Sequence, residues 1–261
     1  MAEKFWFLKK CGLFEHLSES DIRHLEMHSR SRTFEKQTPI YLPADDLNSV
    51  FLLASGRAKI CHLTPEGKQS ILTFIEPGEL FGELAIFESG QRDEYAEAVE
   101  GSTVILIPGR ELQQLMQLKP DISLGITKMI GLRRRRIERR LKNLLFLSNR
   151  DRLTHLLLEL AEQYGQRTSN GIDLGIKLSH QELANVIGST RETVTVVLGE
   201  LQSEGLIVVG RKKILLTNIA HLAESVEKPV PLLPSAQVVK EGASGQPLSA
   251  SPAHAFKNRR S

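Results

Sequence analysis

Residues 178–201 read LSHQELANVIGSTRETVTVVLGEL, two apolar periods of helical spacing broken by one glycine. In the first period Ser179 stands three residues before Glu182, the arrangement in which each side chain satisfies the other's backbone amide at a helix start. Leu183, Val186 and Ile187 form its apolar face. Gly188 falls where that helix must stop sharply, in a left-handed conformation that costs glycine little. A second capping pair, Ser189 with Glu192, is expected at once, and Val194, Val197, Leu198 and Leu201 supply the next apolar face. Two short helices meeting at a sharp angle around such a turn make a helix-turn-helix.

With Val194 and Val197 turned inward, Arg191, Glu192, Thr195 and Val196 share the outward face near the start of the second helix, the end that enters a DNA major groove. Arginine forks onto guanine O6 and N7, glutamate accepts from cytosine N4, and a valine methyl suits the methyl of thymine. The plainer alternative is a helical hairpin with a solvated face. The segment C-terminal to this helix favours DNA: LIVVGRKKILL (206–216) is two β-rich runs joined through Gly210 and a basic turn, Arg211, Lys212 and Lys213. A hairpin there makes a wing whose cations can meet phosphates. The capped helix starts, around Ser179, His180, Gln181, Ser189 and Thr190, offer amide donors to the same anions.

Upstream, residues 33–108 are short runs of Phe, Ile, Leu and Val punctuated by Gly56, Gly67, Gly78, Gly90 and Gly101, at intervals of 11 or 12 residues. Regular turns bounding segments too short for helices predict an antiparallel β-sandwich or roll. A solenoid is disfavoured because the residues between the turns do not repeat. Before the roll, residues 5–30 predict short helices, with Ser18 and Asp21 as a cap. After Pro108, a long helix is expected over about 121–147, where Ile122, Ile126, Met129, Ile130, Ile137, Leu141 and Leu144 keep one narrow apolar stripe. That stripe suits packing on the chain's own roll or a parallel dimer seam. Arg133 interrupts it. The surrounding run of arginines from Arg133 to Arg140 is a solvated face or a nucleic-acid patch. Another amphipathic helix is expected over 151–164 and a turn at TSNGID (168–173).

A chain of 261 residues favours two domains, and 41% hydrophobic with 25% charged residues is ordinary for a globular protein. The net charge of +3 is small, so distribution carries the information. Cys11 and Cys61 lack a metal-like spacing, which points to a reducing compartment and excludes a four-cysteine iron–sulfur site within one chain. The start has no secretory apolar region and no run approaches the roughly 20 apolar residues of a membrane span; a cytoplasmic location without a membrane partner is expected. The segment after Val226, rich in Pro, Ala, Ser and Gly, reads as disordered.

The chain resembles the Crp/Fnr family of transcription regulators over about residues 10–226. The most specific stretches are LSHQELANVIGSTRETV, close to the nitrogen-control members and keeping the family's Arg–Glu pair as Arg191 and Glu192, and PGELFGELAIF in the roll. The resemblance implies an α+β chain: an effector-binding antiparallel β-roll of the cyclic-nucleotide-binding type with N-terminal helices (1–120), a dimerisation helix (121–148), a winged helix-turn-helix (149–226) and a tail (227–261). It implies a homodimer on double-stranded, palindromic promoter DNA, acting as an activator with RNA polymerase as a partner. Val196 stands where many relatives carry a second guanine-reading arginine.

PGELFGELAIFESGQR occupies the place of the family's phosphate-binding cassette. By that resemblance Gly82, Glu83, Leu84 and Arg92 are effector-binding candidates, joined by Asp93, by Arg133 on the stripe, and by Ile137, which with Glu138 replaces a purine-contacting hydroxyl pair. The residue after the arginine is Asp93 instead of a hydroxyl, and Glu94 comes next; two carboxylates repel a phosphate. Cyclic AMP is therefore expected to bind weakly or not at all. A different small ligand, with 2-oxoglutarate suggested by the nitrogen-control resemblance, and a ligand-free turn both remain open. Haem is disfavoured, since Cys61 and His62 lie away from the places that haem-binding members use.

The leading expectation is a dimeric DNA-binding regulator. The alternative is an effector-binding module acting on a protein partner without DNA, against which the wing and capped helices argue. No nucleophile–base constellation, P-loop or metal-ligand spacing supports an enzyme.

Overall fold

A computed structural model describes residues 12–88, 90–211 and 213–234. Helix α1 (Glu19–His28) starts as its sequence requires. The Ser18 hydroxyl accepts from the Asp21 amide, the Asp21 carboxylate accepts from the Ser18 amide, and Ile22 and Leu25 are buried.

Eight strands make the roll: β1 (Arg30–Phe34), β2 (Pro39–Tyr41), β3 (Ser49–Ser55), β4 (Ala58–Leu63), β5 (Gln69–Ile75), β6 (Leu80–Phe81), β7 (Tyr95–Ala98) and β8 (Ser102–Pro108). They form two antiparallel sheets, ordered β1-β8-β3-β6 and β2-β7-β4-β5. In β3 and β8, Leu53 and Val104 face the space between the sheets, with Ile60, Ile75 and Phe81. Their neighbours Val50, Leu52, Ile105 and Ile107 face the other way, into a layer of helices. Burial on both faces explains why these strands read as continuous apolar runs.

The roll does not lead directly into the long helix. Helix α2 (Gly109–Leu118) intervenes, burying Leu112 and Leu115, and α3 (Pro120–Phe146) comes next with proline in its first turn, where a missing N–H costs nothing. The stripe divides along α3, and only its first part packs on the chain's own roll. Ile122 and Ile126 are buried in the helical layer, whereas Ile137, Leu141 and Leu144 are exposed.

The C-terminal unit comprises α4 (Asn149–Tyr164), β9 (Gln166–Thr168), β10 (Gly171–Asp173), α5 (His180–Ile187), α6 (Arg191–Ser203), β11 (Ile207–Gly210), β12 (Lys213–Leu216) and α7 (Ile219–Glu224). The expected turn at TSNGID is the tip of a hairpin, whose strands extend the wing into a sheet ordered β11-β12-β10-β9. Leu157, Leu183, Val194 and Leu198 lie in a cluster that also takes in Cys61, Ile71 and Phe74 of the roll, so the two units pack together. Leu233 packs on that cluster too, which carries the packed chain beyond Val226. The rest of the expected tail, 235–261, lies outside the described residues. No described helix is long and apolar enough to cross a membrane.

Candidate DNA interface and effector chamber

The Ser179 hydroxyl accepts from the Glu182 amide at 3.2 Å, and the Glu182 carboxylate accepts from the Ser179 amide at 2.8 Å, so α5 begins on the expected capping box. It ends on Gly188 at φ 64°, where a side chain would also bring Cβ within 2.9 Å of Leu144. The second box departs from expectation. The Ser189 amide donates to the carbonyl of Ala184 at 3.0 Å and so serves the end of α5. The next helix therefore starts one residue later, capped by Thr190, whose hydroxyl accepts from the Thr193 amide at 3.2 Å. Glu192 is left at the second helical position, where a carboxylate complements the helix dipole.

Val194, Val197, Leu198 and Leu201 are buried, and Arg191, Glu192, Thr195 and Val196 are exposed, the division that the spacing implied. The Thr195 hydroxyl donates to the Arg191 carbonyl at 2.9 Å and meets His180 Nδ1 at 2.9 Å, tying the two helices together on their outer side. Gln181 donates to Asn185 at 2.8 Å. In the wing, Lys213 lies 2.6 Å from Asp173 of β10. Burial is the largest influence on Asp173 and opposes its ionisation, but the hydrogen bonds from Lys213 and the Gly175 amide, with the Lys213 charge, together hold its pKa below the ordinary value. Lys213 is thus partly spent on bracing the wing. Arg211 is exposed at the wing tip, and Lys212 lies outside the described residues. Ser179, His180, Gln181, Arg191, Arg211 and Lys213 line one open groove between the helices and the wing.

Helix α5 also leans on the roll. Asn185 donates to the Gln69 side chain of β5 at 3.0 Å. The buried Lys59 ammonium of β4 lies 2.9 Å from Glu97 and 3.6 Å from Glu182, the capping carboxylate of α5. Nothing local in the sequence marks these contacts, which join residues 116 positions apart in the Asn185–Gln69 case.

Inside the roll, Gly82 at φ 67° opens a short 3-10 turn over Glu83–Ile86. A Cβ there would come within 2.8 Å of the Arg92 guanidinium and 2.9 Å of the Phe51 ring, so glycine lets the turn lie against the arginine. Arg92 is buried and donates to the Ser49 carbonyl at 2.7 Å. Its guanidinium sits 4.3 Å above the Tyr41 ring and 5.0 Å above that of Phe51. Tyr41, Phe51 and Phe81 stack on one another. The Tyr41 hydroxyl donates to Glu94 at 2.7 Å, and burial nevertheless raises the Glu94 carboxyl above its ordinary range.

The interruption of the α3 stripe has a structural reason: Arg133 donates to Glu83 at 2.9 Å and to the Leu80 carbonyl at 2.6 Å, clamping the helix onto the cassette turn. Gly82, Glu83, Arg92 and Arg133 are therefore brought together. Leu84 and Asp93 are exposed beside them. Ile137 lies elsewhere, in a cavity between β5, α3, α4 and α5 that is also lined by Leu72, Arg140, Leu144 and Val186. Tyr41 was not among the sequence candidates; it precedes a turn and carries no motif. Cys61 is buried, which pushes its thiol up to about 11, while His62 is exposed, so this adjacent pair does not converge on one site.

The family model described as a cyclic nucleotide-binding domain matches residues 31–119, and that described as a Crp-like helix-turn-helix domain matches residues 151–225. The chain is 30% identical over 194 residues to the global nitrogen regulator of Synechocystis sp., an alignment covering 74% of this chain and 86% of the relative. It is 26% identical over 216 residues to the CRP-like cAMP-activated global transcriptional regulator of Mycobacterium tuberculosis, covering 83% of this chain and 96% of that one. Among solved structures, the c-di-GMP responsive global regulator CLP of Xanthomonas campestris is similar at a TM-score of 0.66 and 28% identity, covering 76% of this chain and 99% of that one.

Proposed function

The chain belongs to the Crp/Fnr family of transcription regulators, and from that premise we propose that it works as a homodimer whose paired recognition helices read a palindromic promoter site. It is a DNA-binding regulator controlled by a small molecule. The observation that carries the reading is the groove gathering Arg191 of α6, Arg211 of the wing and the capped start of α5. It joins a base-reading fork to phosphate contacts in one continuous surface. In a two-fold dimer, the second recognition helix meets the next major groove about one helical turn, some 34 Å, away.

A second copy covers the open end of α3. Ile137, Leu141 and Leu144 are 40%, 54% and 47% exposed at the three-to-four spacing of a coiled-coil seam. RNA polymerase is the expected partner on the promoter, in a cytoplasmic setting.

The effector is a small acid in preference to cyclic AMP. Arg92 and Arg133 supply two guanidinium groups at the cassette, and Glu83, which meets the ribose in cyclic-nucleotide binders, is already paired with Arg133. Glu94, half-buried behind Tyr41, opposes a phosphate there. A dicarboxylate such as 2-oxoglutarate would displace Glu83 from Arg133 and loosen the clamp on α3. Native mass spectrometry of the protein purified from its own host tests the proposal. A dimer carrying one small acid per chain is expected, and a monomer overturns the reading. A submicromolar dissociation constant for cyclic AMP would overturn the effector assignment alone.

A further inference from the structure

Helices α1 and α2 bring His24, His28 and Glu111 together on the side of the roll formed by its helical layer. His24 and His28 are one helical turn apart on α1, the spacing that puts two imidazoles on one face. Glu111 comes from the first turn of α2, so the cluster bridges two elements. One donor atom from each residue lies within 4.8 Å of the others. His24 Nε2 is 2.9 Å from Glu111 Oε2, and the two imidazole centroids are 4.4 Å apart.

One hydrogen bond at the cluster is that of a ligand set. His28 Nδ1 meets the His24 carbonyl at 2.8 Å, and since a carbonyl can only accept, Nδ1 carries a proton, leaving Nε2 as the nitrogen available to an ion. A metal-bound histidine ordinarily donates its second ring N–H to just such a carbonyl or carboxylate. Glu111 is buried; its Oε1 lies 3.4 Å from Arg110 Nε, and its Oε2, shared with His24, is the oxygen an ion would take. Both imidazoles are exposed, so a hydrated ion can reach them.

We infer that His24, His28 and Glu111 form a binding site for a borderline divalent cation, of which zinc is the type, with water completing the coordination. Two imidazole nitrogens and one carboxylate oxygen form the three-ligand set at which zinc keeps an open fourth position. The ion takes the place between His24 Nε2 and Glu111 that their hydrogen bond occupies, and the His24 ring keeps its N–H on Nδ1 as a neutral ligand. The ion ties α1 to α2, which packs against α3. A metal signal thus reaches the helix that carries Arg133, independently of the cassette.

The full chain, stripped with a chelator, is titrated with zinc against a chromophoric competitor and, separately, with cobalt while the visible spectrum is recorded. The expected result is one ion per chain, tetrahedral cobalt bands, and a rise in melting temperature on zinc addition. His28→Asn, at an exposed position, and Glu111→Gln should each weaken binding at least about tenfold. Both should abolish the zinc-dependent rise in melting temperature, whereas His62→Asn, on β4 of the opposite sheet, should change neither. No binding by the unaltered chain, or binding by His28→Asn equal to it, would overturn the site.

Discussion

Arg191 is the first residue of its helix, exposed, and held beside a Thr195 hydroxyl that bonds its own carbonyl. From there its fork can reach a guanine edge, and Arg191→Ala should cost roughly 1 to 3 kcal/mol of DNA affinity while relaxing preference at one base pair. Binding measured on a panel of single-base variants checks this; a uniform loss across the panel would make Arg191 a phosphate contact instead. His155 has a different fate. Its Nδ1 is buried without a hydrogen-bond partner, and burial first, then Lys228 and Arg139, lower its pKa. The unfolded chain binds this proton more readily, so stability from this site is complete above the ordinary histidine pKa of about 6.5 and declines as pH falls below it. His155→Leu should flatten the fall of melting temperature between about pH 7 and 5.5; an unchanged slope would assign the acid sensitivity to other groups. Gly188, whose left-handed cap its chain neighbours define, is legible in sequence, as is the exposure of Arg191 at the start of its helix. Arg133 is not, since the carboxylate that explains it lies 50 positions away.

The capped helix α5 and the stripe of α3 can be read from spacing, because apolar periodicity and terminal hydrogen bonding are properties of the element itself. The start of α6 could not be placed to the residue. Ser189 and Thr190 are both competent caps, and only the amide spent on closing α5 decides between them. Helix α2 escapes notice because its cap, Pro108, offers no side-chain hydrogen bond. Strands β9 and β10 are three residues each, too short for a pattern. Within α3 one half of the stripe is buried and the other exposed, and substitution separates them. Ile126→Glu puts a charge at a fully buried position and should unfold the chain. Leu141→Glu, at a position 54% exposed, should leave the melting temperature of the isolated chain nearly unaltered and yield monomers by analytical ultracentrifugation. A dimer that survives Leu141→Glu would move the seam off this helix.

At the scale of the whole molecule, the roll and the DNA-binding unit meet through Asn185 on Gln69 and Lys59 beside Glu182, and Arg140 of α3 bridges them, donating to the Leu72 carbonyl and pairing with Glu159 of α4. The order of roll, long helix and winged helix was legible because each has its own texture of turns, stripe and caps. Their mutual docking was not, since it rests on polar pairs distant in sequence. These contacts set where α6 faces relative to the roll. Selection of bound duplexes from a random pool by the full chain is the most direct measurement of dimeric, sequence-specific reading. Enrichment of a two-fold symmetric site is expected, with a guanine in each half that is no longer selected by Arg191→Ala. Altered preference is expected at the pair facing Val196, where a methyl-to-thymine contact replaces a second arginine fork. Recovery of no palindrome from the unaltered protein would refute the dimeric regulator.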